Sequence, residues 1–395
     1  MFINQSIHRL INTIISFVIN IVILIYIYNN VTLTTLSDFA ISVLIFQYIF
    51  LFTEWGFNLY SIQRIRNKEF IDKRHYFINI IIYSKFILAT ISCLFLVFLY
   101  FNKFILVRDK LTFYSCLFLV FTAAFNPLWL FQSIKKIQLL NLPLLFLKIV
   151  QLIFIYYFLT STNIYIFFLS QGIIFCLMFL YSLYYLYKNF YYFFKFSLKQ
   201  IYLSLFFLKK MFLYFLSNLY NHLNLTIWGS LLIFLNANDQ IILFNIVDTI
   251  WRSFNTFLQS ILEPTLKSLK KISFRKKNIF YLLIFLIIFY LNIEILTPII
   301  FKYKPIEFIE IFELLFFILL LFSTNKFILF LIYGKKNLLK MNLLNCIFLF
   351  LEFFCAFLWL FFSEKTTFSI LYFLLFINLI KFIILTIGFR MFKSA

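Results

Sequence analysis

Seven polar residues inside one apolar stretch carry the clearest chemical signal in this chain. Asn245, Asp248, Thr249, Arg252, Asn255, Thr256 and Gln259 recur at helical spacing, so a helix sets all of them on one face. Ile246, Phe254, Phe257, Leu258 and Ile261 make the opposite face. Asp248 and Arg252 stand one turn apart and can pair. A wet face of this kind suits a hydroxyl-rich solute. Weaker polar patterns recur elsewhere: His8, Asn12, Ser16 and Asn20 at intervals of four, then Gln47, Glu54 and Asn58, then Asn218, Asn221, His222 and Asn224. Four lysines, Lys85, Lys148, Lys326 and Lys381, also lie within apolar stretches.

The elements that must hold these residues are membrane helices. The chain has 395 residues, of which 64% are hydrophobic and 12% charged. A soluble chain averages about 45–50% apolar and about 25% charged residues. One soluble core could not hide this much apolar surface. Soluble enzymes, disordered chains, disulfide scaffolds and nucleic-acid binders are excluded. A membrane helix needs roughly 17–25 mostly apolar residues. Twelve stretches qualify, at about 10–28, 38–58, 77–101, 112–133, 143–160, 165–187, 211–235, 241–265, 279–301, 307–333, 341–362 and 368–389. They are numbered here as spans one to twelve.

The positive residues set the orientation. With the N-terminus inside, 24 of the 35 lysines and arginines fall in cytoplasmic segments, 6 in outer loops and 5 within spans. Both termini are then cytoplasmic, in a multi-pass inner-membrane protein. The net charge of +21 is topological and implies no nucleic-acid surface. Each intramembrane lysine lies five to eight residues from the cytoplasmic end of its span, a depth of ~8–12 Å. A single one reads as snorkelling. The four together with Arg252 read as a basic vestibule for an anionic head group.

Polar residues at matching places in spans one, two, seven and eight suggest two six-helix halves. The expected division is an N-terminal lobe at 1–187, an interfacial linker at 188–210 and a C-terminal lobe at 211–395. The linker is amphipathic and aromatic, as expected of a segment at the membrane surface. Asp248, Glu54, Glu352 and His222 are candidates for ion coupling or pairing. Glu352 reads either as the partner of a lysine or as a protonated structural carboxyl. His222 has the side chain whose titration lies nearest neutrality, although a membrane histidine is more often a hydrogen-bonded packing residue. The five cysteines include no C-x-x-C pair and read as small buried hydrophobes. No P-loop, G-x-S-x-G or H-E-x-x-H occurs. No enzymatic activity, cofactor or metal is expected.

Several segments are similar to Wzx-type O-antigen flippases. Thr53-Glu54-Trp55-Gly56-Phe57-Asn58 resembles that family's acidic-aromatic-Gly-Phe-Asn segment. Asn126-Pro127-Leu128-Trp129-Leu130-Phe131-Gln132 resembles its Pro-x-Trp-aliphatic-Phe-Gln stretch. Asp248-Thr249-Ile250-Trp251-Arg252, with Pro264 beyond, resembles its Asp…Arg helix ending in Pro. Lys148 falls where the family tends to carry Arg. The region Tyr28–Thr34 departs from the family, lacking its Pro and its Arg-x-Leu-Gly turn.

The resemblance implies an all-α, two-lobed fold of twelve helices, that of the multidrug/oligosaccharidyl-lipid/polysaccharide (MOP) exporter superfamily, to which the MATE transporters also belong. It implies an undecaprenyl-pyrophosphate-linked oligosaccharide as substrate, turned from inner to outer leaflet by alternating access. Membrane lipids, a polysaccharide polymerase and chain-length proteins are the other implied partners. On this reading Lys85 and Lys148 receive the pyrophosphate and Arg252 holds it near the midplane. Asp248 tunes Arg252 or couples an ion, and Asn58, Asn221 and Asn255 contact glycan hydroxyls. The alternatives are another MOP-type transporter, such as a drug or ion antiporter, a polytopic polysaccharide polymerase, or an accessory membrane protein.

Overall fold

Hydrocarbon offers the backbone no hydrogen-bond partners, so spanning segments must satisfy themselves as helices or as a closed barrel. The computed structural model of the chain follows the helical solution. It describes residues 19–57, 74–102, 107, 109–134, 136–190, 198–235, 240–252, 305–333, 338–362 and 366–394. Among these residues there is no strand. The chain divides into two compact units, one of Ile15–His222 and the other formed largely by Leu223–Ala395.

The first unit contains α1 (Ile19–Asn30), α2 (Leu33–Glu54), α3 (Arg74–Phe101), α4 (Lys110–Ala124), α5 (Leu128–Ser133), α6 (Asn141–Phe158) and α7 (Tyr165–Phe190). Then α8 (Leu198–Phe234) carries the chain past the division. The second unit holds α9 (residues 240–252), α10 (Pro305–Tyr333), α11 (Leu338–Phe362) and α12 (Thr367–Ser394). Six helices among the described residues are long and apolar enough to cross a membrane. Their outward faces carry large apolar side chains such as Phe98, Phe101, Tyr157 and Tyr372, as lipid-facing surfaces must.

In the first unit α4 packs against α2, α3 and α7, and α7 packs against α6. In the second, α10 packs against α12, and α12 against α11. Spans four and six of each half thus form the most extensive pair, and spans five and six the next shared one. Among the described residues these two pairings recur in both halves without visible sequence repetition.

Two elements differ from their reading in the sequence. Span four is broken: α4 ends at Ala124, and α5 begins after Phe125-Asn126-Pro127. Pro127 has no N–H and its ring crowds the preceding turn, a local effect that mean hydropathy does not register. The Asn126 side-chain oxygen accepts from the Leu128 N–H at 3.2 Å and bridges the break. Residues 198–210, read as a separate interfacial linker, continue into span seven as one helix of 37 residues. At its other end α4 is capped by Asp109, whose carboxylate accepts from the N–H groups of Leu111 and Thr112 at 3.1 and 2.9 Å.

The α4–α7 contact depends on Gly172. A Cβ there would lie 2.6 Å from Cδ1 of Phe118 and 3.3 Å from the Leu119 Cα. Small residues let membrane helices approach this closely. Gly172→Ala should cost little if the Phe118 ring swings aside, whereas Gly172→Leu should destabilise the first unit by about 1–3 kcal/mol, the usual cost of overpacking. Thermal unfolding of the purified variants checks this, and equal midpoints for Gly172→Leu and wild type would refute the close approach.

Candidate functional site

Lipid surrounds most of α6. Leu142, Phe146, Ile149, Val150, Ile153, Tyr156, Tyr157 and Phe158 are all exposed on it. Its buried residues are Lys148, Gln151 and Ile155. The stripe that this helix turns inward therefore begins with a cation and an amide, where an apolar contact would be cheaper.

Lys148 is 4% exposed, and its ammonium makes three hydrogen bonds. It donates to Asn20 Oδ1 of α1 at 2.9 Å, to Gln151 Oε1 one turn along α6 at 3.0 Å, and to Gln171 Oε1 of α7 at 2.7 Å. Gln151 Nε2 donates in turn to Ser170 Oγ at 3.2 Å, and Ser170 donates to the Phe167 carbonyl. Every proton of the ammonium is used. Every acceptor is a neutral amide, and among the described residues Lys148 forms no ion pair. Asn20 is exposed and Gln171 half-buried. Each can turn its NH2 group outward while its oxygen holds the lysine. The result is a donor-rich patch around one unmatched positive charge.

The other candidate cations are arranged differently. Lys85, 1% exposed on α3, donates to Glu54 Oε1 at 3.3 Å and to the Ala124 carbonyl at 2.8 Å. It also lies over the Phe57 ring. Lys381 on α12 pairs with Glu352 on α11, both buried. The Lys326 side chain lies outside the described residues. Arg252 on α9 is half-buried, and its Nε donates to Asp248 Oδ1 and Oδ2 at 2.9 and 2.8 Å. Asp248 and Asn245 are fully buried on the same helix, and neither amide atom of Asn245 has a hydrogen-bond partner among the described residues. Asn58 and Asn255 lie outside the described residues, as do the side chains of Asn221 and His222. Among the described residues no cluster of His, Cys, Asp and Glu could hold a metal.

Of the sequence candidates, the structure joins Lys148 to Asn20, Lys85 to Glu54, Asp248 to Arg252, and Glu352 to Lys381. Gln151, Gln171 and Ser170 were missed. Each is a single uncharged residue that forms no stripe on its own helix; the one available signal was an amide one turn from a lysine in an apolar span.

The Glu352–Lys381 pair tests how tightly charge must be matched. Removing one partner of a buried pair leaves an uncompensated charge, at a cost of about 3–5 kcal/mol, whereas apolar replacement of both is often neutral. Lys381→Met should therefore sharply lower the yield of folded protein, and Glu352→Met with Lys381→Met should recover most of it. Size-exclusion yield and unfolding temperature of both variants decide the matter; a double variant no better than the single one contradicts the pairing.

No family model matches the sequence, and no curated protein matches it. Solved structures do match in shape. A MOP superfamily transporter from Pyrococcus furiosus, for which a reversed polarity of the binding pocket suggests a different function, is 12% identical with a TM-score of 0.61, covering 100% of this chain and 95% of its own. A MATE protein in complex with MaL6 is 11% identical with a TM-score of 0.62, covering 100% and 97%. An outward-facing multidrug resistance MATE family transporter of the same superfamily is 11% identical with a TM-score of 0.57, covering 100% and 95%. This all-helical chain has the fold of the MOP superfamily transporters.

Proposed function

We propose that this protein is a flippase for anionic lipid-linked oligosaccharides, carrying undecaprenyl-pyrophosphate-linked repeat units from the inner to the outer leaflet. The observation that carries the reading is the Lys148 ammonium, buried and, among the described residues, held by neutral amides. A charge in that setting is costly until a counter-ion arrives. A pyrophosphate supplies one, and the amide NH2 groups of Asn20 and Gln171 add donors to its oxygens. On this reading Arg252 holds the head group in turn, and Asn58, Asn221 and Asn255 contact glycan hydroxyls. The lipid tail stays in hydrocarbon throughout. Lys85 is held by Glu54 and Ala124, and would meet the head group only by exchanging those partners.

Transport by alternating access, the cytoplasmic termini and the inner-membrane location belong to the same reading. So do the polymerase and chain-length partners. The MOP fold supports it, as do the segments that resemble Wzx-type flippases. A drug or cation antiporter on this fold would favour an acidic site. The charge at Lys148 has the opposite sign.

Complementation tests the proposal. In a host lacking the gene, Lys148→Ala should restore less than a tenth of the surface polysaccharide restored by wild type, at normal protein level, with lipid-linked units accumulating on the inner side. Lys148→Arg keeps the charge and should restore much of it. Full export by Lys148→Ala would overturn the site, and surface glycan that survives loss of the protein would overturn the flippase reading.

A further inference from the structure

The first turns of α8 carry a feature that the transport path does not use. One face is anchored in the first unit: Ser204, Phe207, Leu208, Met211 and Phe215 are buried. The Trp55 indole N–H donates to the Leu208 carbonyl at 3.0 Å and its ring stacks on Phe215 at 4.1 Å. The other face is exposed and mixed. Lys199 on one side and Lys209 and Lys210 on the other flank Tyr202, Leu205 and Phe206 along it. Tyr202 is 74% exposed, and the Lys210 ammonium lies 4.7 Å over the Phe206 ring.

Length places this stripe at the membrane boundary. A helix of 37 residues is about 55 Å long, whereas the hydrocarbon layer is about 30 Å thick. The final turns, from Ile227 to Phe234, are apolar apart from Ser230 and carry the buried Trp228. The surplus therefore falls at the lysine-bearing start, among the head groups. Aromatic rings favour that depth, and lysines there attract anionic lipid.

We propose that this stripe binds the phosphate head groups of anionic phospholipids in the leaflet where α8 begins. Lys199, Lys209 and Lys210 take the phosphates. Tyr202, Leu205 and Phe206 lie between those lysines along the helix, at the head-group depth that aromatic rings favour. Charge complementarity selects the occupant: the opposite-signed partner available at that depth on a lipid-facing surface is a lipid phosphate. Because Trp55 fixes the buried face, a bound lipid also holds α8 against α2 and α3. By the positive-residue asymmetry this leaflet is the cytoplasmic one.

The test uses the full chain purified in a neutral detergent and titrated with phosphatidylglycerol. Bound lipid is counted by native mass spectrometry and the unfolding temperature is followed in parallel. Wild type should bind phosphatidylglycerol and gain thermal stability, whereas phosphatidylcholine and inorganic phosphate at equal concentration should give neither effect. Replacing Lys199, Lys209 and Lys210 with Ser should weaken binding on the order of a hundredfold, about fivefold per lysine. A Lys110→Ser control, at the exposed start of α4, should behave as wild type. Unchanged binding in the triple variant, or an equal response to phosphatidylcholine or phosphate, overturns the proposal. If the triple variant yields no folded protein, Lys209→Ser alone is measured instead; a loss of less than twofold counts against the site.

Discussion

Charge inside a hydrocarbon layer must be answered from within the protein, and that constraint organises the described parts of this molecule. Water screens and solvates a surface lysine. Within a span neither help is available, and an isolated charge costs several kcal/mol or more. Four cations with described side chains lie inside predicted spans: Lys85, Lys148, Arg252 and Lys381. Three meet a carboxylate, at Glu54, Asp248 and Glu352. Each inter-helical pair also pins two helices, α2 to α3 and α11 to α12. Lys148 is answered by dipoles, and gathering enough of them draws on three helices, α1, α6 and α7.

The same constraint explains the break in span four. Interrupting a helix in a membrane frees carbonyls that lipid cannot satisfy. Lys85 reaches the carbonyl of Ala124 from α3, and Glu54 balances the charge so introduced. Beside it, α2 ends in a left-handed turn, with Trp55 at φ 37° and Gly56 at φ 75°. That geometry is strained for tryptophan. It is held because the indole finds both a carbonyl and a stacking partner on α8. The Glu54-Trp55-Gly56-Phe57 segment thus gathers α2, α3, the α4 break and α8 at one node. Its chemistry there is structural.

This division explains what was legible in the sequence. Span existence depends on a local sum of hydropathy, and α2, α3, α6, α7, α10, α11 and α12 lie within a few residues of their expected bounds. Intramembrane charges such as Lys148, Glu54 and Glu352 stand out because each is individually costly. Their partners do not follow, because Lys85–Glu54 and Lys381–Glu352 are set by how helices pack across 31 and 29 residues. Gln151 and Gln171 were harder still. A neutral amide in a span is cheap enough to pass as incidental, and their meeting at one ammonium exists only once α6 lies against α7. The Pro127 break was visible as a residue and invisible to an average.

The repeated packing scheme makes the difference in charge between the units informative. Within each unit a lysine bridges the fifth and sixth spans. In the second unit it rises from the sixth span, and a carboxylate on the fifth cancels it. In the first it rises from the fifth span and meets one amide on the sixth. A carboxylate beside Lys148 would neutralise it and compete with any arriving phosphate at close to equal strength, since both are charge-assisted acceptors. Amide oxygens hold the ammonium in place yet leave its full charge in the field, worth about 4 kcal/mol to an anion 4 Å away at an effective dielectric of 20. One of the three ammonium N–H groups can turn from its amide oxygen to a phosphate oxygen and return on release. Amide coordination therefore suits the reversible anion site proposed at Lys148, and the carboxylate pairs elsewhere suit permanent contacts.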